Sequence, residues 1–466
     1  MKAAVRIEGQ RIAEVGALKA RRDETEIDAG GLILAPGFID THSHADEDLL
    51  EQPGALVAVS QGVSTVVVGQ DGSSKYPLAE FFAALEANPP VVNTASYAGH
   101  NTLRAEVMGD DPRRPASSDE IEAMRELLER EIRSGAIGLS TGLEYDSGIY
   151  SETGEVIALA KQAAALGGRY ISHIRSEDRY FEDAIEEIIR IGREASLPVQ
   201  ISHLKLAIRS QWGRAQELIA RLDEARRNGV DITADVYPYE YWQSTLTVLF
   251  PERNFQDRAA AEFALSEISR PDGLLLSQFD PEPSYVGQTV AQISALRGTD
   301  DATTLMALIT EAEALRGESG DYAEMVIGTS MMTGDIEELL SWPHSNVCTD
   351  GALVDRHPRA AGTYARVLGR YVRDKKILSL EEAIRKMSGL PASHLGLTKR
   401  GLIAPGMFAD LVLFDPEKIL DHASPEEPNA LSSGVAGVWV NGTRVFDGSA
   451  LTGERPGTVI RSAVKP

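Results

Sequence analysis

Residues able to bind a metal recur where apolar runs of this chain stop. His42 and His44 form a His-X-His pair at the end of Gly37-Phe38-Ile39-Asp40-Thr41. In a β-strand alternate side chains share a face, so both imidazoles point the same way and can hold one divalent cation. Three further runs end in the same manner: Ile171-Ser172-His173, Ile201-Ser202-His203 and Val347-Cys348-Thr349-Asp350. Imidazoles joined by a carboxylate suit Zn2+ best, with Mn2+ or Fe2+ as alternatives. Such an ion lowers the pKa of water toward ~7 and so supplies a nucleophile at neutral pH. Asp350 is then the candidate general base, taking a proton from that water and passing it to a leaving amine. The chemistry implied is hydrolysis of an amide, ester or related bond.

Bringing these residues together takes a scaffold whose strand ends converge. Eight apolar strand candidates occur, at 37–42, 63–70, 91–100, 136–142, 170–174, 199–204, 232–237 and 346–350. Several are continuous β-branched runs, suited to strands buried on both faces. Segments of helical period follow most of them, at 78–87, 118–134, 153–166, 184–195 and 214–228. This alternation over residues 36–399 predicts a (β/α)8 barrel with the site residues at the carboxyl ends of its strands. The interval 240–344 is too long for one crossover and is expected to carry extra helices that cover the barrel mouth. Another helix is expected from Ser379-Leu380-Glu381-Glu382 to about Ser388.

Residues 1–35 and 400–466 hold short strands without helical period. Val438-Trp439-Val440 and Thr443-Arg444-Val445-Phe446 flank Asn441-Gly442, a pair that accepts the positive φ values of a type I′ hairpin turn. The two ends are expected to pair into one small β domain.

Composition narrows the partners. The 466 residues are 43% hydrophobic and 25% charged, as in an ordinary globular protein, and carry a net charge of −24. That excess argues against nucleic acid or an anionic membrane as partner. No stretch approaches the ~20 apolar residues that span a bilayer. Met1 to Arg6 reach charge without an apolar signal region, so cytoplasmic residence is expected. The single cysteine, Cys348, excludes an intrachain disulfide framework and a cysteine-based zinc knuckle. Neither a Walker P-loop nor a dinucleotide glycine fingerprint is present.

The run Pro36-Gly37-Phe38-Ile39-Asp40-Thr41-His42-Ser43-His44, with the two later histidine motifs and Asp350, resembles the amidohydrolase superfamily. Nearly the whole chain resembles its N-acyl-D-amino-acid deacylase (D-aminoacylase) branch. The similar stretches include Gly99-His100-Asn101-Thr102-Leu103-Arg104, Gly138-Leu139-Ser140-Thr141-Gly142-Leu143, Ser202-His203-Leu204-Lys205, Tyr237-Pro238-Tyr239 and His357-Pro358-Arg359. The resemblance implies a (β/α)8 barrel with a β-sandwich built from both termini. It implies one or two Zn2+ ions on His42, His44, His173 and His203, Asp350 as acid and base, and a small N-acyl amino acid as substrate. It also implies a clamp for the substrate carboxylate from Lys205, Tyr237, Ser244 and Arg359, with Tyr145 nearby. Arginine brings a bidentate fork to such a group and lysine a point charge. His100 is a candidate orienting residue, whereas His344, His394 and His422 fall outside these motifs and are expected to be structural.

One stretch departs from the family pattern. D-Aminoacylases usually carry Asn-Cys-Gly after the second strand, with that cysteine as a metal ligand; here the residues are Gly69-Gln70-Asp71-Gly72. Asp71 takes the aligned position and offers a carboxylate instead. Glu144, in Gly142-Leu143-Glu144-Tyr145-Asp146, is the rival bridging ligand and the favoured one, because its longer arm can reach inward from a loop. Two other functions compete. A dipeptidase or cyclic-amide hydrolase of the same superfamily is the nearer, the dipeptidase needing an acid such as Glu240 or Asp71 for a substrate ammonium. A non-catalytic metal-binding scaffold is the more remote.

Overall fold

Eight short segments pair in parallel and in chain order: β1 (Phe38–Asp40), β2 (Val63–Val68), β3 (Asn93–Ser96, continued by Ala98–Gly99), β4 (Gly138–Gly142), β5 (Arg169–His173), β6 (Val199–Ile201), β7 (Ile232–Val236) and β8 (Ser345–Val347). The computed structural model describes residues 3–319 and 322–462. The ring closes just beyond the strands, where Asp350 N donates to His42 O over 2.8 Å and His44 N to Gly351 O over 2.9 Å. All residues of β2, β4 and β7 are buried, as strands covered on both faces require.

Helices fill the crossovers at Leu78–Ala87, Ser118–Ser134, Thr153–Ala165, Phe181–Ala195 and Ala215–Arg227, within three residues of the expected spans. Ser118–Ser134 opens on a capping box in which Ser117 Oγ accepts from Glu120 N and the Glu120 carboxylate accepts from Ser117 N. Ser379 caps Leu380–Met387 in the same way, its Oγ accepting from Glu382 N. Ile39, Val67, Ala95, Tyr97, Ile137 and Ile171 form one buried cluster, completed by Ala392, Leu395 and Leu397. Among the described residues no helix is long and apolar enough to cross a membrane.

Three elements differ from the sequence expectation. The 91–100 run is not one strand. Asn93–Ser96 pairs with β2 and Ala98–Gly99 with β4, the hand-over falls at Tyr97, and His100 opens the helix His100–Met108. The 240–344 interval holds more than helices. Tyr241–Ser244, Leu274–Phe279 and Glu324–Thr329 form an antiparallel sheet with the last strand in the middle. Between β8 and the helix at Leu380 lies a further helix, Arg359–Arg366, continued by π-helical turns over Val367–Asp374. It follows Pro358 and lacks a side-chain cap, which is why no start signal marks it in sequence.

Both chain ends build one β-sandwich. Ile33–Pro36, Leu411–Phe414, Val435–Val440 and Thr443–Phe446 form an antiparallel sheet. The hairpin Ala4–Glu8 with Arg11–Gly16 packs on it through Ile12, Leu411, Leu413 and Trp439. Asn441 (φ 47°) and Gly442 (φ 81°) turn the chain as a type I′ hairpin requires. The buried Asn441 amide donates to Asn93 Oδ1 at 2.7 Å and to Pro456 O at 2.8 Å, tying this turn to the start of β3.

A Cβ on Gly442 would lie 2.1 Å from the Gly9 carbonyl oxygen, at a φ that L side chains rarely adopt. Gly442→Ala is therefore expected to cost about 1–3 kcal/mol of stability. Thermal unfolding measures this as a lower Tm; an unchanged Tm would mean that the two hairpin turns do not meet.

Candidate active site

The carboxyl ends of β1, β2, β5, β6 and β8 place His42, His44, Asp71, His173, His203 and Asp350 around one point. His42 Nε2 lies 3.3 Å from Asp71 Oδ2 and 3.3 Å from Asp350 Oδ1. His44 Nε2 reaches the same two carboxylates at 3.5 and 3.2 Å. His203 Nε2 stands 3.8 Å from Asp71 Oδ1 and 2.9 Å from His173 Nδ1. Candidate ligand atoms of His42, Asp71, His203 and Asp350 all fall within 4.8 Å of one another, and all four residues are buried.

Three of these residues sit in left-handed backbone conformations: Asp71 (φ 52°), His203 (φ 35°) and Asp350 (φ 52°). Such strain persists where surrounding structure over-determines it, and it clusters at functional sites. The constraints are visible. Asp350 is held by its N–H bond to His42 O, and His203 N donates to Asp235 Oδ1 at 2.5 Å. Asp71 rides in a loop whose carbonyl would lie 2.1 Å from any Cβ on Gly142, so β4 must end in glycine.

Electrostatics match the geometry. Burial would raise the Asp350 carboxyl, but the Arg359 guanidinium and the His203 and His42 rings hold it below the usual carboxylate range. Burial acts the same way on Asp71, and His42, His203 and His44 pull it well below. Burial disfavours charge on His42, yet Asp71 and Asp350 push its pKa up to about 10. The cluster thus demands positive charge between its carboxylates, from protons or from a cation. The residues fit a divalent ion: His42 Nδ1 and Nε2 and Asp71 Oδ1 are buried with no hydrogen-bond partner.

Of the two acids weighed in the sequence, Asp71 joins this group, whereas Glu144 stands to one side. Glu144 Oε2 lies 2.8 Å from His173 Nε2, and its Oε1 accepts from Glu177 N at 3.3 Å. A second group of potential ligands, His173, Glu177 and His203, is also close-set, but Lys205 Nζ already binds Glu177 at 2.5 and 2.7 Å.

An adjoining cleft is lined by His173, His203 and Asp350, and by all five residues expected to bind substrate: Tyr145, Lys205, Tyr237, Ser244 and Arg359. Arg359 NH1 bonds Asp350, and its guanidinium lies 5.0 Å from the centre of the Tyr237 ring. Arg359 Nε and the Tyr237 hydroxyl are buried donors without partners. Glu240 does not line this cavity; its carboxylate accepts from Thr333. His100 bonds Glu155 at 2.8 Å, a carboxylate also held by Arg104, within a buried cluster of its own.

The sequence reading missed Asp235. It is fully buried on β7, where it accepts from His203 N, from Gln200 Nε2 at 2.6 Å and from the Cys348 thiol at 3.1 Å, with His42 Nδ1 at 3.8 Å. Asp235 thereby anchors the His203 backbone and faces the His42 ring without a hydrogen bond to it. Its signal was an aspartate inside the apolar run Ile232-Thr233-Ala234-Asp235-Val236.

Comparison with known proteins agrees with this geometry. The pattern of the amidohydrolase family matches residues 25–268 and 279–446. An N-acyl-D-glutamate deacylase of Alcaligenes xylosoxydans xylosoxydans is 36% identical, over 99% of this chain and 93% of the relative. A D-aminoacylase of the same organism is 35% identical, over 97% and 92%. The crystal structure of the N-acyl-D-glutamate deacylase of Bordetella bronchiseptica, complexed with zinc and a phosphonate inhibitor that mimics the tetrahedral intermediate, superposes with a TM-score of 0.88 at 34% identity, over 99% of this chain and 96% of that one. With the family pattern matched from the first strand of the sandwich sheet to its last, the chain belongs to the amidohydrolase family.

Proposed function

We propose that this chain is a zinc-dependent hydrolase that cleaves the amide bond of N-acyl-D-amino acids, giving a carboxylate and a free D-amino acid. The observation that carries this reading is one cavity that joins a histidine–carboxylate cluster with unpartnered buried atoms to two unpartnered buried donors, Arg359 Nε and the Tyr237 hydroxyl. Hydrolysis needs the first, and recognition of an α-carboxylate needs the second.

His42, Asp71, His203 and Asp350 would hold the ion, with His44 and His173 beside them. A bound Zn2+ supplies Lewis acidity, polarising the scissile carbonyl and acidifying water. Arg359 and the histidines keep Asp350 ionised, so it can take the proton of the attacking water and return it to the leaving nitrogen. Arg359, Tyr237, Lys205 and Ser244 orient the α-carboxylate, which fixes the amide relative to Asp350. A site that fixes carbonyl, carboxylate and side chain at three points distinguishes enantiomers. The D hand is taken from the two named deacylases.

Metal-loaded protein should hydrolyse N-acetyl-D-amino acids and leave their L-enantiomers nearly untouched in a ninhydrin or coupled oxidase assay. Equal rates on both hands would remove the deacylase reading and leave the superfamily's other amide hydrolases.

Asp71→Asn should strip metal more readily than Glu144→Gln, because Asp71 lies in the ligand group and Glu144 is engaged by His173. Metal analysis after dialysis against a weak chelator reads the difference, and the opposite order would hand the bridging role to Glu144.

Asp350→Asn leaves His42, His203 and Asp71 to retain the ion but removes the proton acceptor. Its kcat should fall about 10²–10⁴-fold. A variant keeping more than about a tenth of wild-type kcat would put proton transfer on another group.

A further inference from the structure

Overall identity does not separate a glutamate deacylase from a D-aminoacylase, since the two relatives match at 36% and 35%. The cavity wall does. Resting on the deacylase reading, we infer that the substrate side chain packs against Val248, Leu249 and Ile268, and that this chain selects N-acyl-D-amino acids with neutral apolar side chains over acidic ones.

The cavity lining mixes two chemistries. His173, His203, Asp350 and the clamp are polar, and Ala207, Trp242, Val248, Leu249 and Ile268 supply apolar surface. The short helical turn Leu246–Leu249 follows Ser244 directly, so one segment of the cover serves both the carboxylate clamp and the apolar wall. Val248 is half-buried, whereas Leu249 and Ile268 are buried.

A side-chain carboxylate would find no free cation there. Among the described residues the cations lining the cavity are Lys205 and Arg359. Lys205 binds Glu177, and Arg359 binds Asp350 and belongs to the α-carboxylate clamp. Nearby, Arg209 stacks over the Trp212 ring without an ion pair among the described residues and does not line the cavity, whereas two other arginines are engaged by neighbours. Arg253 binds Asp146 and the carbonyl oxygens of Thr247, Phe250 and Glu144. Arg179 faces Asp178 at 3.6 Å and stacks over the Phe263 ring. Apart from Lys205, Arg359, the two histidines, Asp350 and the two tyrosines, the ionisable groups of the lining are acids, Glu144, Glu177 and Asp178. An acidic side chain would therefore give up its water against apolar carbon and like charge, with nothing to pair with. A leucine, methionine or phenylalanine side chain gains by the same burial.

The test compares kcat/KM of the zinc-loaded enzyme for N-acetyl-D-leucine, N-acetyl-D-methionine, N-acetyl-D-glutamate and N-acetyl-D-lysine. Leucine and methionine should exceed glutamate on the order of 100-fold, the scale at which one pocket contact discriminates. Val248→Arg should narrow that ratio by raising glutamate and lowering leucine, with zinc content unchanged. Hydrolysis of the glutamate or lysine derivative as fast as leucine overturns the inference while leaving the deacylase reading intact. Absence of hydrolysis for every D-substrate in zinc-replete protein overturns both. The wild-type profile decides the matter even if Val248→Arg does not fold.

Discussion

Two carboxylates buried against the same imidazole govern the mouth of this barrel. Asp71 and Asp350 each approach His42 Nε2 to 3.3 Å, and they are 8% and 4% exposed. Like charges so close and so poorly solvated repel strongly unless positive charge lies between or beside them. The chain sets four basic side chains against them: His42 and His44 at the end of β1, His203 at the end of β6, and Arg359 from the helix after β8. A strand-end aspartate in a left-handed conformation is costly on its own, and at Asp71 and Asp350 it persists because neighbouring strands lock the backbone. The barrel closure is part of that lock, since the bond from Asp350 N to His42 O both completes the ring and positions Asp350.

How much of this was legible in the sequence follows from the range of each signal. The His-X-His pair, the other two strand-end histidines and Asp350 announce themselves by ending apolar runs, and strand ends on one barrel face converge. The Asn441-Gly442 turn is equally local, because both residues must tolerate positive φ. The short helix from His100 and the one from Arg359 were not legible, as neither has a side-chain N-cap. The sheet within residues 240–344 pairs Tyr241–Ser244 with Glu324–Thr329, a contact across some 80 residues that no periodicity encodes.

The two acids near the cluster illustrate the limit more sharply. Arm length favoured Glu144, but reach matters less than where the backbone starts and who takes the carboxylate first. Glu144 is held by His173 and by Glu177 N, and its own carbonyl oxygen accepts from Arg253. Asp71, with the shorter arm, starts from a loop pressed against Gly142 and lands among the histidines. Asp235 went unread for a related reason. An aspartate inside an apolar strand is recognisable as odd, yet its partners, His203 N, Gln200 and Cys348, come from β6 and from beyond β8.

The fold separates chemistry from selectivity. Barrel strand ends carry the clustered histidines and carboxylates, and their positions are fixed by pairing, closure and glycine-dependent close approach. The described residues of 240–344 contribute no charged side chain to the cavity lining and most of its apolar surface. Substitution at Val248 or Ile268 would alter which side chain fits without touching a ligand, a hydrogen bond of the cluster or a strained backbone position. Substitution at Gly142 or Asp235 would disturb the site although neither bears on the substrate. A barrel built in this way can keep one hydrolytic reaction while its cover drifts among substrates, and that is why a family pattern running from residue 25 to residue 446 fixes the reaction more firmly than the side chain it acts on.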